Sequence, residues 1–267
     1  MGALCAFLLA LITTPAGVSG AVLLLPIQLS VLHVPSPAVT PTNLLFNIAA
    51  IPGGLLRFRH ERRLLNPLTS LLVAGTLPGV IAGAIIRVEL LSGSRAFMLV
   101  AAGVLLPLGL WLALGSQRLV PARPTPSRRA RQGIWLLSLV VGTVGGIYGI
   151  GGGSILAPIL LALGYTAYEV APATLSATFL TSIAGIVTYQ ILQATHGGAI
   201  APDWTLGVFL GAGGFLGSYC GARLQRRLPE RALRRLLGVI ACLVAARYIQ
   251  TSLERSPSAR SAHASTR

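Results

Sequence analysis

Long apolar runs, separated by short polar or basic ones, fill this chain from end to end. The apolar stretches fall near residues 4–33, 39–56, 67–86, 96–115, 134–163, 171–193, 204–222 and 232–250. A helix needs about 20 such residues to cross the hydrocarbon core of a bilayer. Six of the eight stretches have that length. The other two, 4–33 and 134–163, are too long for one crossing and are interrupted by Gly and Pro. The pattern predicts an all-α integral membrane protein of about eight hydrophobic segments.

Polar interruptions divide the chain. Residues Val120 to Gln132 (VPARPTPSRRARQ) are basic and Pro-rich, which marks a linker. The predicted organisation is a first transmembrane repeat over 1–117, the linker over 118–133, a second repeat over 134–252 and a polar tail over 253–267. The tail has the composition of a disordered segment.

The two halves echo each other. Gly17-Val-Ser-Gly-Ala-Val-Leu-Leu-Leu-Pro26 resembles Gly149-Ile-Gly-Gly-Gly-Ser-Ile-Leu-Ala-Pro158. Thr-Pro-Thr-Asn at 40–43 then matches Ala-Pro-Ala-Thr at 171–174. Further on, Gly79-x-x-x-Gly83 matches Gly217-x-x-x-Gly221. Order and spacing are kept at an offset of 131–138 residues. Duplicated halves with Gly/Pro-interrupted segments in corresponding places are the sequence pointer to a transporter's binding site.

Composition agrees with the pattern. The chain is 54% hydrophobic and 10% charged, with mean hydropathy +0.76. Soluble domains carry about 25% charged residues. The formal net charge is +15, and every Lys-or-Arg position is Arg. Such a charge raises nucleic-acid binding as a reading. Its placement argues against it: the Arg residues cluster at Arg57–Arg63, Arg118–Arg131 and Arg223–Arg235, between apolar runs, and no amphipathic basic face is present to dock a duplex. Cys5, Cys220 and Cys242 are isolated within apolar runs and suggest neither a metal site nor a disulfide framework. No cofactor is expected. The N-terminus is apolar from Leu4 without a basic lead, so it reads as a mature membrane segment rather than a cleaved signal peptide.

Two topologies are open. If all eight stretches cross once, the Arg118–Arg131 and Arg223–Arg235 clusters lie on opposite sides, against the positive-inside rule. If instead 4–33 and 134–163 are hairpins, each entering and leaving on one side, all three clusters share a side and the halves are inverted. Arms of about 12–15 residues reach about 18–22 Å, enough to pass the midplane.

The segment Gly149 to Pro158, followed by Ala171-Pro-Ala-Thr-Leu-Ser-Ala-Thr178, resembles the second-half signature of the TauE/SafE family of sulfite and organosulfonate exporter-like membrane proteins. Gly17 to Pro26, with Thr42 and Asn43, is a weaker copy, in which Val18 and Ser19 stand where glycines are expected. The resemblance covers nearly the whole chain. It implies a multi-pass protein of the bacterial cytoplasmic (inner) membrane. It also implies secondary transport, namely export of sulfite, organosulfonate or a related sulfur-containing or carboxylate anion. The expected partners are that anion and the lipid bilayer. A homodimer is compatible with the resemblance, and no residue pattern demands one.

The residues make sense as an anion site on their own. Non-helical backbone at membrane depth must face protein or a water-filled cavity. A helix that starts after such a break offers free N–H groups and a positive dipole end to an oxyanion. Gly149, Gly151, Gly152 and Gly153 lack Cβ atoms, and Ser154 is placed to cap the following helix and to donate a hydroxyl. Gly17, Ser19 and Gly20 offer the same in the first half. The competing reading is that these glycines only let helices pack. Asn43 and Asn47 share one helix face, as do Thr174, Thr178 and Thr181. Neutral donors of this kind line an anion path while holding the cargo weakly. Hydrogen bonding between helices explains them equally well.

Gly79/Gly83 and Gly217/Gly221 read as packing faces. Glu169 and Asp203 sit at segment edges, leaving no carboxylate clearly at mid-membrane to couple transport to protons or sodium. A membrane enzyme would need a nucleophile with a base, paired carboxylates or metal ligands, and the acids and histidines are scattered. A passive anion conduit and an accessory subunit without transport of its own remain as alternatives.

Overall fold

The computed structural model describes residues 2–30, 32, 34, 36–61, 64, 66–89, 128–196 and 201–254, with scattered residues between 102 and 114. The expected stretch 96–115 therefore lies partly outside the described residues. So do most of the linker and nearly all of the tail. The described residues form helices with no strand among them. In chain order these are α1 (Gly2–Thr13), a 3₁₀ turn (Thr14–Ala16), α2 (Ala21–Ser30), α3 (Ser36–His60), α4 (Pro67–Glu89), α5 (Arg128–Tyr148), α6 (Gly152–Ala162), α7 (Ala167–His196), α8 (Trp204–Gln225) and α9 (Glu230–Glu254).

Local chemistry sets several helix starts. Thr166 and Glu169 form a reciprocal capping box: each side chain accepts from the other's backbone N–H, at 3.3 Å in both directions. Asp203 caps α8 by accepting from Leu206 N at 2.9 Å. Asn66 opens α4 by accepting from Leu68 N and Thr69 N. Glu169 and Asp203 are thus exposed capping groups at helix starts.

Five of the described helices, α3, α4, α5, α7 and α8, are long and apolar enough to cross a membrane. Large apolar side chains point outward, among them Val140, Ile191, Val208, Leu216 and Leu243, while Asn43, Asn47, Thr174 and Thr178 are fully buried. Apolar groups outside and polar groups inside is the arrangement that lipid imposes.

The first broken segment has arms of 12 and 10 residues. The second is unequal: α5 runs 21 residues and α6 only 11. The expectation of matched short arms in 134–163 is corrected here. Helix α5 begins six residues earlier, at Arg128, because the Arg-rich end of the basic segment itself favours helix.

Contacts along each helix pair fix directions. Ala3, Phe7 and Leu11 of α1 meet Gly213, Gly217 and Gly221 of α8 in step, so the two run parallel. Leu45, Ala49 and Gly53 of α3 meet Gly207, Gly211 and Phe215 of α8 the same way. Gly75, Gly79 and Gly83 of α4 meet Ser138, Leu139 and Thr143 of α5, again parallel. Helix α7 packs on α3 in the opposite sense, with Gly185 at Leu44 and Leu175 near Phe58. Asn66 reaches the Glu169 carbonyl, and Val80 meets Gly185, so α7 runs with α4.

Two consequences follow. Helix α3 runs the same way as α1, and α7 the same way as α5, so each broken segment returns the chain to the side it came from. The ends bearing Arg57, Arg59, Arg128, Arg129, Arg131, Arg223, Arg226 and Arg227 also gather at one end of the bundle. The eight-crossing arrangement requires α5 and α7 to run oppositely, and they do not. Both glycine stripes serve as packing faces. A Cβ at Gly79, Gly83, Gly213 or Gly217 would land on a backbone carbonyl of the facing helix.

Candidate functional site

Two non-helical breaks define the centre of the molecule. At the first, Gly17 closes the 3₁₀ turn at φ 78°, with its N–H donating to Thr14 O. At the second, Gly149 and Gly151 each adopt φ 70°. Such angles are cheap only for glycine. The chain doubles back at both: Gly20 lies against Ala10, and Gly152 against Gly142.

Each break seats on the opening turns of the other half's long helix. Gly17 abuts Ala171 and Thr174 of α7, and Gly149 abuts Thr40 of α3. Thr174 donates its hydroxyl to Gly17 O at 2.8 Å. The matched stretches 40–43 and 171–174 therefore receive opposite breaks.

The side chains predicted as a site come together in one buried cluster. Ser19 N–H donates to Ser154 Oγ at 3.1 Å, joining the two breaks directly. Ser19 Oγ accepts from Ala21 N at 3.2 Å and pairs closely with Asn47 Oδ1. Asn47 Oδ1 can only accept, so the Ser19 hydroxyl donates to it, and Asn47 Nδ2 is left as a free donor. Asn43 Nδ2 donates to Ala21 O at 3.1 Å, which leaves Asn43 Oδ1 as an acceptor. Asn43 Oδ1, Asn47 Nδ2, Thr178 Oγ1 and Ser182 Oγ are all buried without a hydrogen-bond partner. An unpaired buried polar atom costs about 1–3 kcal/mol. Four of them lie on two adjoining helices, α3 and α7.

Two expected roles change. Ser154 does not cap α6. The N-cap is Gly151, with no side-chain cap, and Ser154 lies inside the first turn, donating to Ile150 O at 3.3 Å. Ser19 is the serine that satisfies a helix-start N–H. The glycines also face protein: Gly151 abuts the Thr178 methyl, Gly152 the Thr76 methyl, and Gly153 the Thr174 carbonyl. Beside Ser154, a narrow void of about 20 Å³ lined by Val18, Val22, Ile150 and α9 is no larger than a water. Thr181 turns back on its own helix, donating to Ala177 O.

A second feature escaped sequence reasoning. Arg57, His60, Glu61, Tyr168 and Arg226 line a cavity of about 320 Å³ at the basic end. The sequence showed only two separate Arg clusters, and nothing in it signalled that α3 and α8 run in step and bring their ends together.

These features define a polytopic helical membrane protein, built around two broken helices and a buried polar centre. The chain belongs to the TauE/SafE family: the family model described as "Sulfite exporter TauE/SafE" matches residues 2–248. The "Probable membrane transporter protein YunE" of Bacillus subtilis (strain 168) is 29% identical over 126 residues. That match covers 47% of this chain and 43% of the relative, so the chain spans under half of that protein's length. No solved structure matches.

Proposed function

We propose that this protein exports small anions across the bacterial cytoplasmic membrane by a secondary-transport mechanism, with sulfite, an organosulfonate or a related sulfur-containing or carboxylate anion as cargo. The observation that carries the reading is the set of four unpartnered polar atoms on Asn43, Asn47, Thr178 and Ser182. They lie on the two helices against which the breaks pack. Asn47 Nδ2 and the two hydroxyls supply neutral donors, and Asn43 Oδ1 accepts from a water or from a protonated cargo oxygen. The α6 N-terminus, uncapped by any side chain, adds backbone donors and a positive dipole end. Among the described residues the buried polar side chains are Ser, Thr, Asn and Gln, so the cargo is held without a fixed charge. Weak neutral coordination suits a site that must release what it binds.

In this reading residues 1–117 and 134–252 are inverted repeats joined by the basic linker 118–133. Their axis of exchange passes through the Ser19–Ser154 contact. The exchange of seats, Gly17 on α7 and Gly149 on α3, supports it. Transport then alternates by rocking one broken segment against the other's long helix.

The test is flux of labelled sulfite, sulfate and a small organosulfonate in liposomes holding the purified protein, with and without a pH gradient. Selective flux that follows the gradient supports coupled export. Gradient-independent flux converts the reading to a passive conduit. Folded protein that moves none of the three removes these anions as cargo.

A further inference from the structure

The basic cavity lies apart from the polar centre and has no part in the reading above. Arg57 Nε lies 3.0 Å from Glu61 Oε1, and Arg226 Nη1 lies 3.8 Å from the same oxygen. One carboxylate thus faces two guanidiniums, from α3 and from the residue that ends α8. Each guanidinium carries five N–H donors in a planar fork, and a single shared oxygen uses few of them. Among the described lining residues two Arg stand against one Glu, so these residues keep a net positive charge whatever the state of His60. The Glu61 side chain is 9% exposed and that of Arg57 18%, whereas that of Arg226 is 60% exposed. Glu61 therefore lies on the buried side of the pocket beside both guanidiniums, while Arg226 stays open to an arriving group. The volume of about 320 Å³ is at the small end of ligand pockets.

The cavity is also tied to the first break. Gln225, next to Arg226, donates through Nε2 to Pro15 O at 2.8 Å and to Ala167 O at 3.1 Å. Tyr168, which lines the cavity, donates its hydroxyl to Gln225 O at 3.3 Å. A group that engages Arg226 thus sits one residue from the side chain that pins the broken segment to the start of α7.

We propose that Arg57, Arg226 and His60, arranged by Glu61, form a binding site for a small oxyanion group at the basic end of the bundle. Paired guanidiniums give charge-assisted, bidentate recognition of such a group. The same chemistry is offered by a free anion arriving from solution or by the phosphate of an anionic lipid headgroup.

Sulfate serves as the probe, titrated calorimetrically into the full-length protein in detergent. Saturable binding is expected. Arg226→Gln, at an exposed position that leaves the fold intact, should weaken it roughly tenfold. Glu61→Gln should tighten it several-fold, because it removes the carboxylate that competes for the same donors. A merely structural ion pair predicts no such gain. In an Asn47→Leu background, which disables the polar centre, saturable sulfate binding and its weakening by Arg226→Gln should persist, so failure of the transport reading is separable from failure of this one. A parallel arm uses nanodiscs of phosphatidylcholine with and without phosphatidylglycerol, read by native mass spectrometry. Selective retention of phosphatidylglycerol, lost in Arg226→Gln, identifies the occupant as a lipid phosphate and upholds the oxyanion site. Binding of neither probe, or binding that both substitutions leave unaltered, overturns it.

Discussion

The hydroxyl of Thr174 lies 2.8 Å from the carbonyl oxygen of Gly17, a residue 157 positions earlier in the chain. The same hydroxyl is 2.9 Å from Val170 O on its own helix, so one proton is shared between a local and a distant acceptor. Carbonyls in a break have no helical partner, and lipid supplies none. Thr174→Val keeps the shape and removes the donor, leaving Gly17 O unsatisfied. Stability should fall by about 1–2 kcal/mol, with flux lowered because the first break loses its anchor. Thr174→Ser should restore both. Thermal unfolding in detergent and liposome flux check this, and equal behaviour of the Val and Ser variants would count against it.

The backbone at the breaks makes a sharper prediction. A Cβ at Gly17 would stand 2.8 Å from Ala171 Cα and 2.8 Å from Thr174 Oγ1, at a positive φ. Strain and overlap act together, and Gly17→Ala should cost about 2–5 kcal/mol. Gly149→Ala should behave alike, since its Cβ meets Thr40. Gly133, near the start of α5, has nothing within 4 Å, and Gly133→Ala should instead gain about 0.5–1 kcal/mol. Yields of monodisperse protein and unfolding temperatures separate the three.

Much of this was legible in the sequence, for identifiable reasons. Gly17, Gly149 and Gly151 stood out because a break inside an apolar run needs residues that tolerate positive φ. The glycine pairs at 79/83 and 217/221 announced close packing because four-residue spacing returns to one helix face. Asn43, Asn47, Thr174 and Thr178 were visible as polar residues on apolar helices. What the sequence hid depends on how distant pieces meet. Ser154 looks like a cap by position, yet it accepts an N–H from Ser19 across the molecule. Arg57 and Arg226 read as topology signals until α3 and α8 lie in step. Gly152 shows the limit most clearly. A bulky residue there tests packing before it tests any anion path, because its Cβ would stand 2.9 Å from the Thr76 methyl and 3.0 Å from Gly142 Cα. Such a variant would report folding.

Helix directions predict sidedness. Single cysteines in place of Arg131 and Arg226 should react with an impermeant maleimide from one side of the membrane. One at Asp203 should react from the other. The background would lack Cys5, Cys220 and Cys242. Arg131 lies in the first turn of α5 and Arg226 follows α8, at the end where the basic clusters gather. Labelling of positions 131 and 226 from opposite faces would exclude the hairpin arrangement.

Thr178 offers the cleanest separation of function from structure. Its hydroxyl is fully buried and has no partner, so the folded protein gains nothing from the oxygen. Thr178→Val is nearly isosteric and removes an unsatisfied polar atom. Stability should hold or rise, by up to about 1 kcal/mol. If Thr178 coordinates cargo, flux should fall severely in that same variant. Ser182→Ala, one turn further along α7, makes the same double prediction. Opposite signs of the two effects are expected where a residue is kept for function at a cost in stability. A packing role predicts the reverse: lost stability with flux per folded molecule preserved. Measuring unfolding temperature and flux on one preparation decides between them. A Thr178→Val protein of wild-type stability and wild-type flux would remove Thr178 from the site.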